Sequence, residues 1–110
     1  MPIGGKPPLL VREEHHVEDD VDAATTEDPL AEEVFEAAKW RLARDPECGT
    51  KMPNVTPERW LLHLLPVAEA KSPGLLVRYY RVKEIIVVDW VKFYDHDEDA
   101  AIKPEAYSID

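Results

Sequence analysis

The segment from Leu75 to Tyr94 reads LLVRYYRVKEIIVVDWVKFY, and it decides the fold of this chain. It is rich in β-branched and aromatic residues, whose side chains fit the pleated surface of a sheet. The polar pair Lys83-Glu84 separates two apolar runs, which is typical of a β-hairpin with a loop of two or four residues. The sequence therefore predicts two adjacent antiparallel strands over 75–82 and 85–94.

Either loop length gives the hairpin the same register. Val82 lies opposite Ile85, and further along the strands Arg78 lies opposite Asp89, an opposite-charge pair that supports this alignment. Apolar residues then occupy both faces. We expect the hairpin to be covered on both sides, or to carry a binding surface on one of them.

One long helix is predicted upstream of the hairpin. Asp28 is a suitable N-cap, Pro29 fits the first turn, and Pro46 ends the helix. Acidic residues come early in this segment and basic residues late, as the helix dipole favours. The apolar residues at helical spacing are Leu30, Ala31, Val34, Phe35, Ala38 and Leu42.

Residues 57–65 are compatible with two structures. Thr56-Pro57-Glu58 resembles a helix start, whereas the run from Trp60 to Leu65 is also typical of a buried strand that ends at Pro66. The short length favours a strand, which gives a three-strand meander over 59–65, 75–82 and 85–94. A further short strand is expected near residues 9–12. The predicted fold is α+β, a small antiparallel sheet packed against one main helix.

Charge divides the chain into three parts. Residues 1–28 hold two basic and eight acidic side chains, and we expect a flexible acidic segment with a short strand. Residues 29–94 are predicted to form a single α+β domain. Residues 95–110 are predicted to be an acidic tail. The overall charge of −10 therefore lies in the flanks, because residues 29–92 hold ten basic and nine acidic side chains.

The same composition limits the classes of function. A single cysteine, Cys48, cannot form an internal disulfide, and no apolar run is long enough to cross a bilayer, so we expect a cytoplasmic protein without membrane contact. The acid-rich runs that contain His15-His16 and His96 lack the spacing of a structural metal site. No glycine-rich phosphate loop is present. No cofactor is predicted.

The order of elements, and the run Pro-Gly-Leu-Leu-Val-Arg-Tyr-Tyr-Arg-Val at 73–82 in particular, resembles the RelE/ParE toxins of bacterial toxin–antitoxin pairs. The resemblance covers residues 29–94. It implies a partner antitoxin protein and one of two activities. RelE-type members cleave mRNA on the ribosome by activating the ribose 2′-hydroxyl, without a metal. ParE-type members bind and inhibit DNA gyrase.

The nuclease branch carries basic residues on the sheet and a Tyr or His near the end of the last strand. The matching positions here are Arg78 or Arg81, Lys92, Tyr94 and His96. This chain departs from the usually basic family in the acidic run 95–99. Acid next to the site would repel a polyanionic substrate unless it folds away.

The predicted register places five residues on one face of the hairpin, with His96 continuing in line. Arg81 and Lys92 would stabilise charge on the scissile phosphate, and Tyr94 or His96 would transfer protons. The alternative is that the aromatic residues cover the core and the basic residues extend to solvent. The five residues are Tyr79, Arg81, Trp90, Lys92 and Tyr94.

Two further tryptophans are candidate contacts for a protein partner. Trp40 lies off the apolar face of the helix, where it either packs on a neighbouring loop or anchors an interface, and Trp60 is in the first strand of the meander. A homodimer is compatible with a sheet that has two apolar faces. The alternative function is a non-catalytic, acidic protein-interaction module, an adaptor or a nucleic-acid mimic, on the same scaffold.

Overall fold

The structure is a computed structural model that describes residues 7–95, and it has an α+β fold. Two helices and five strands are present in this range. In chain order they are β1 (Leu10–Glu13), α1 (His15–Glu27), α2 (Leu30–Arg44), β2 (Thr50–Lys51), β3 (Trp60–Leu64), β4 (Gly74–Val82) and β5 (Ile85–Tyr94).

The strands form one mixed sheet in the order β1-β5-β4-β3-β2. The predicted meander is its centre, since β3, β4 and β5 are consecutive antiparallel neighbours. Residues 57–65 contribute a strand and no helix. The sheet is larger than predicted, however, because the short strand β2 adds to β3, and β1 pairs with β5 in parallel.

Helix α1 replaces the solvated loop that the acidic composition suggested, so that prediction was wrong. Val17 and Val21, one helical turn apart, are buried in the main core. The acidic side chains around them point to solvent, where their mutual repulsion is screened. Burial of one apolar stripe stabilises a helix whose charge pattern alone is unfavourable. The folded unit therefore includes β1 and α1.

Helix α2 begins and ends close to the predicted positions. The carboxylate of Asp28 accepts a hydrogen bond from the Leu30 amide at 3.0 Å, which satisfies one N–H at the start of the helix. Phe35, Ala38 and Leu42 are buried against the sheet, as the apolar spacing predicted. Lys39 joins this helix to β1 through Glu13 at 3.3 Å.

One face of the sheet, which we call the inner face, packs against both helices. Its strand residues belong to the same core cluster as the helix residues. They include Leu62, Leu75, Val77, Tyr79, Ile86, Val88 and Val91. The other face, which we call the outer face, carries a smaller cluster formed by Met52, Leu61 and Leu76, with Val55 and Trp90 packed against it.

A β-bulge at Asp89 changes the phase of β5. Up to Val88 the register is as predicted, with Tyr79 opposite Val88, but Arg78 lies opposite Trp90 and Asp89 has no partner position on β4. The predicted alignment of Arg78 with Asp89 was therefore wrong by one residue. Because side chains alternate along a strand, one extra residue moves every later side chain of β5 to the opposite face.

No helix among residues 7–95 is long and apolar enough to cross a membrane.

The β4–β5 turn supplies a test of the backbone geometry. Lys83 has a φ of 55°, in the left-handed region that glycine adopts without a steric penalty. We expect Lys83→Gly to raise the free energy of unfolding by about 0.5–1 kcal/mol, a gain of the order of that steric penalty. Urea unfolding would measure it. Glu84→Gly is the matched control, and an equal gain there would contradict this explanation.

Candidate functional site

The outer face gathers the basic and aromatic side chains of the three central strands. Arg78 and Tyr80 of β4 alternate with inner-face residues, and the bulge brings Trp90, Lys92 and Tyr94 of β5 to the same side. From β3 and the residue before it come Arg59 and His63. Both helices pack on the other side of the sheet.

A buried carboxylate connects two arginines at the centre of this face. Asp89 is 8% exposed, and its two oxygens accept hydrogen bonds from the Nε atoms of Arg59 at 2.9 Å and Arg78 at 2.8 Å. A carboxylate this deeply buried would be costly without cationic partners. Its backbone carbonyl is used as well, because it contacts Nε2 of His16 in α1 at 2.8 Å. The bulged residue is thus fixed from three directions.

Two aromatic rings lie beside these arginines. The guanidinium of Arg59 lies 4.1 Å from the centroid of the Tyr80 ring, and that of Arg78 lies 5.9 Å from the Trp90 ring. The first distance is that of a close cation–π contact. The result is a layer of alternating cationic and aromatic groups, the chemistry that contacts phosphates and unpaired bases.

A hydrogen-bonded pair of titratable groups lies near the end of the same face. Nε2 of His63 and the hydroxyl of Tyr94 are hydrogen-bonded partners. The Tyr94 ring lies directly over Gly74, where a Cβ atom would overlap it. Glycine at position 74 is therefore required for the phenol to reach the histidine.

Lys92 is adjacent to this pair. Leu76 is the cross-strand neighbour of both His63 and Lys92, so one row of the sheet places the imidazole and the ammonium on either side of a buried leucine. Imidazole and phenol can pass a proton between them, and a neighbouring cation can stabilise developing negative charge. We call His63, Lys92 and Tyr94 the candidate triad.

Two predicted site residues lie on the other face. Tyr79 is buried in the inner core, where its hydroxyl donates to the Pro46 carbonyl at 2.9 Å and accepts from the Gly49 amide at 3.0 Å. Burial raises the pKa of this phenol well above its usual value. Arg81 lies opposite Ile86 near the turn, and its Nε donates to the Lys83 carbonyl. Their predicted common face with Trp90, Lys92 and Tyr94 was wrong because of the bulge.

The remaining predicted residues are dispersed. His96 lies outside the described residues. Trp40 is 61% exposed on α2, with the Arg44 guanidinium 4.0 Å from its ring centroid. Trp60 is half-buried against the inner core, and its indole N–H donates to Glu58 at 3.2 Å. Neither tryptophan is on the outer face with the candidate triad.

Sequence reasoning missed the most important partner of Tyr94. His63 was interpreted as a core histidine with one hydrogen bond, yet its side chain is on the outer face. The alternation in β3 carried a signal, because inner-face Leu62 and Leu64 flank it. Among residues 7–95 no group of three potential metal ligands is close enough to hold an ion.

Comparison of the chain with protein-family models, with curated proteins and with solved structures finds no match.

The Asp89 cluster predicts a large effect of one isosteric change. Asp89→Asn should lower the free energy of unfolding by about 3 kcal/mol, because it removes the charge that balances two half-buried guanidinium groups. Chemical denaturation would measure the change. Glu58→Gln, which removes the exposed ion pair with Lys51, is the matched control and should leave the midpoint unchanged. Equal effects would contradict the importance of the buried cluster.

Proposed function

We propose that this protein is a RelE/ParE-like toxin that cleaves mRNA without a metal and is held inactive by an antitoxin protein in the cytoplasm. The observation that carries the proposal is the hydrogen-bonded pair His63 and Tyr94 beside Lys92. The order of a strand, helices and an antiparallel meander also supports the resemblance stated for residues 29–94.

The triad supplies the groups that transesterification of RNA needs. His63 removes the proton from the ribose 2′-hydroxyl, the 2′-oxygen bonds to phosphorus, and the bond from phosphorus to the 5′-oxygen breaks. The hydrogen bond between the imidazole and the phenol allows Tyr94 to protonate the leaving 5′-oxygen and to regain a proton from His63. Lys92 stabilises the added negative charge on the phosphoryl oxygens. The products are a 2′,3′-cyclic phosphate and a 5′-hydroxyl.

The rest of the outer face suits a single-stranded substrate. Trp90 and Tyr80 offer rings next to guanidinium groups, and a row of such groups binds successive nucleotides by stacking and charge. Arg59 and Arg78 each use Nε to hold Asp89, so their geometry is fixed before any substrate binds. Fixed cations lose little conformational entropy on binding a phosphate.

A second candidate is favoured by a different surface. The exposed side of α1 carries a high density of carboxylates, including Asp19, Asp20 and Asp22. Such a surface suits a non-catalytic module that binds a basic partner. Inhibition of gyrase by binding remains the other branch of the resemblance. Both alternatives predict that the candidate triad is dispensable.

Conservative changes in the triad test the nuclease proposal. His63→Gln and Tyr94→Phe should each lower the rate of RNA cleavage by about 10²- to 10⁴-fold, the usual contribution of a proton-transferring group. Lys92→Ala should cause a loss of similar size. Cleavage of a defined mRNA and chemical identification of the new ends would measure this. Arg81→Ala is the matched control, because Arg81 is near the turn and on the opposite face.

Growth of a bacterial host after controlled induction separates the alternatives. Arrest by the unchanged chain, relieved by His63→Gln and Tyr94→Phe but not by Arg81→Ala, is expected. Arrest by every variant would favour the gyrase-binding branch and contradict the nuclease. Normal growth with the unchanged chain would contradict the toxin proposal. Melting temperatures of all variants would control for loss of folding.

A further inference from the structure

The outer face has a local charge opposite to that of the whole chain. Its strand residues and the one preceding β3 include four cations, Arg12, Arg59, Arg78 and Lys92, against the single carboxylate of Asp89. The chain as a whole has a formal charge of −10. A positive surface on so acidic a protein attracts the protein's own acidic segments as well as an external polyanion.

Residues 96–110 have the complementary composition. They hold five acidic side chains and one lysine, and three of the acids are consecutive at 97–99. The acidic run is followed by three large side chains that can be buried, Ile102, Tyr107 and Ile109. An acidic stretch followed by apolar residues matches a surface that is basic at one end and apolar at the other.

The outer face has that order. Lys92 and Tyr94 lie near the end of β5 from which the chain continues. At the far end, near the hairpin turn, the outer side chains of three neighbouring strands are apolar: Leu10 pairs with Ile85, which in turn pairs with Val82. Leu10 and Val82 are 57% and 49% exposed, so this end of the face presents apolar surface to solvent.

The length of the segment is sufficient. Fifteen extended residues span about 50 Å, whereas the ten residues of β5 cover about 33 Å. A chain that reverses direction after Asp95 can therefore run back over the outer face as far as the hairpin turn. The acids would meet Lys92 and the arginines first, and Ile102 and the residues after it would reach the apolar end.

We propose that residues 96–110 dock on the outer face of their own chain, with the acids on the basic centre and the apolar side chains near Val82 and Ile85. The docking itself does not depend on the proposed function. Its consequence does: if the face binds RNA, the tail occupies the phosphate sites and acts as an intramolecular competitor.

Paramagnetic relaxation tests the docking directly and requires no RNA. A spin label is attached to Ala106→Cys in the full chain with Cys48→Ser, and methyl signals are recorded. We expect strong broadening at Val82, Ile85 and Val87, and little at Val17 or Val21 in the inner core. The same label on Ala37→Cys, an exposed position of α2, is the control and should spare the outer face. Broadening no greater than with this control would overturn the proposal.

Charge variants test why the tail binds. Neutralising 97–99 with Asp97→Asn, Glu98→Gln and Asp99→Asn should reduce the broadening, and added salt should act in the same direction. Neutralising three exposed acids of α1, Asp20, Asp22 and Glu27, should leave it unchanged. Equal effects of the two sets would overturn the charge complementarity. Broadening in mixtures of labelled and isotope-enriched chains would assign the contact to a second copy and overturn the intramolecular docking.

RNA binding then separates this inference from the nuclease proposal. In a His63→Gln background, which prevents cleavage in the proposed mechanism, a chain that ends at Asp95 should bind a labelled polyuridine oligonucleotide about tenfold more tightly than the full chain, with the difference shrinking at high salt. Equal affinity of the two chains would overturn competition by the tail. Docking with no RNA cleavage by any variant would leave the tail contact in place and contradict the nuclease alone.

Discussion

The arrangement of the outer face depends on one buried carboxylate. Asp89 is the extra residue of a β-bulge, and two guanidinium groups from β4 and from the start of β3 hold its oxygens. Burying this charge is tolerable only because both partners are present. Those same ion pairs make any other register of β5 costly, since a shift would leave a carboxylate and two arginines unpaired. The bulge and the ion pairs therefore stabilise each other.

The bulge also explains why the site could be predicted only in part. The segment 75–94 is apolar on both faces, so its pattern correctly gave the hairpin and its register as far as Val88, but could not fix the phase beyond it. Residues 86 and 88 face the helices, and so do 91 and 93. That change from even to odd numbers is the trace of the bulge in the sequence. It can be interpreted only when the covered face is known.

Helix α1 shows a different limit of reasoning from composition. Acid content favoured a solvated segment, yet two valines with a spacing of four bury one side of the helix completely enough to hold it. Local charge counts miss this because repulsion between exposed carboxylates is weak in water, whereas apolar burial contributes about 25 cal/mol per Å². By contrast, α2 was predictable, since its cap, dipole and apolar stripe all favour the same structure.

The separation of charge between the two sides of the sheet gives the fold its functional character. The acids of α1 and α2 lie on the helix side, whereas the central strands present arginine and lysine on the outer face. Because the sheet and its core lie between them, the acids of the helices do not neutralise the cations locally. An acidic protein can thus keep a surface that attracts polyanions. Net charge alone is therefore a poor guide to the partners of this chain, and the position of each charge relative to the sheet decides them.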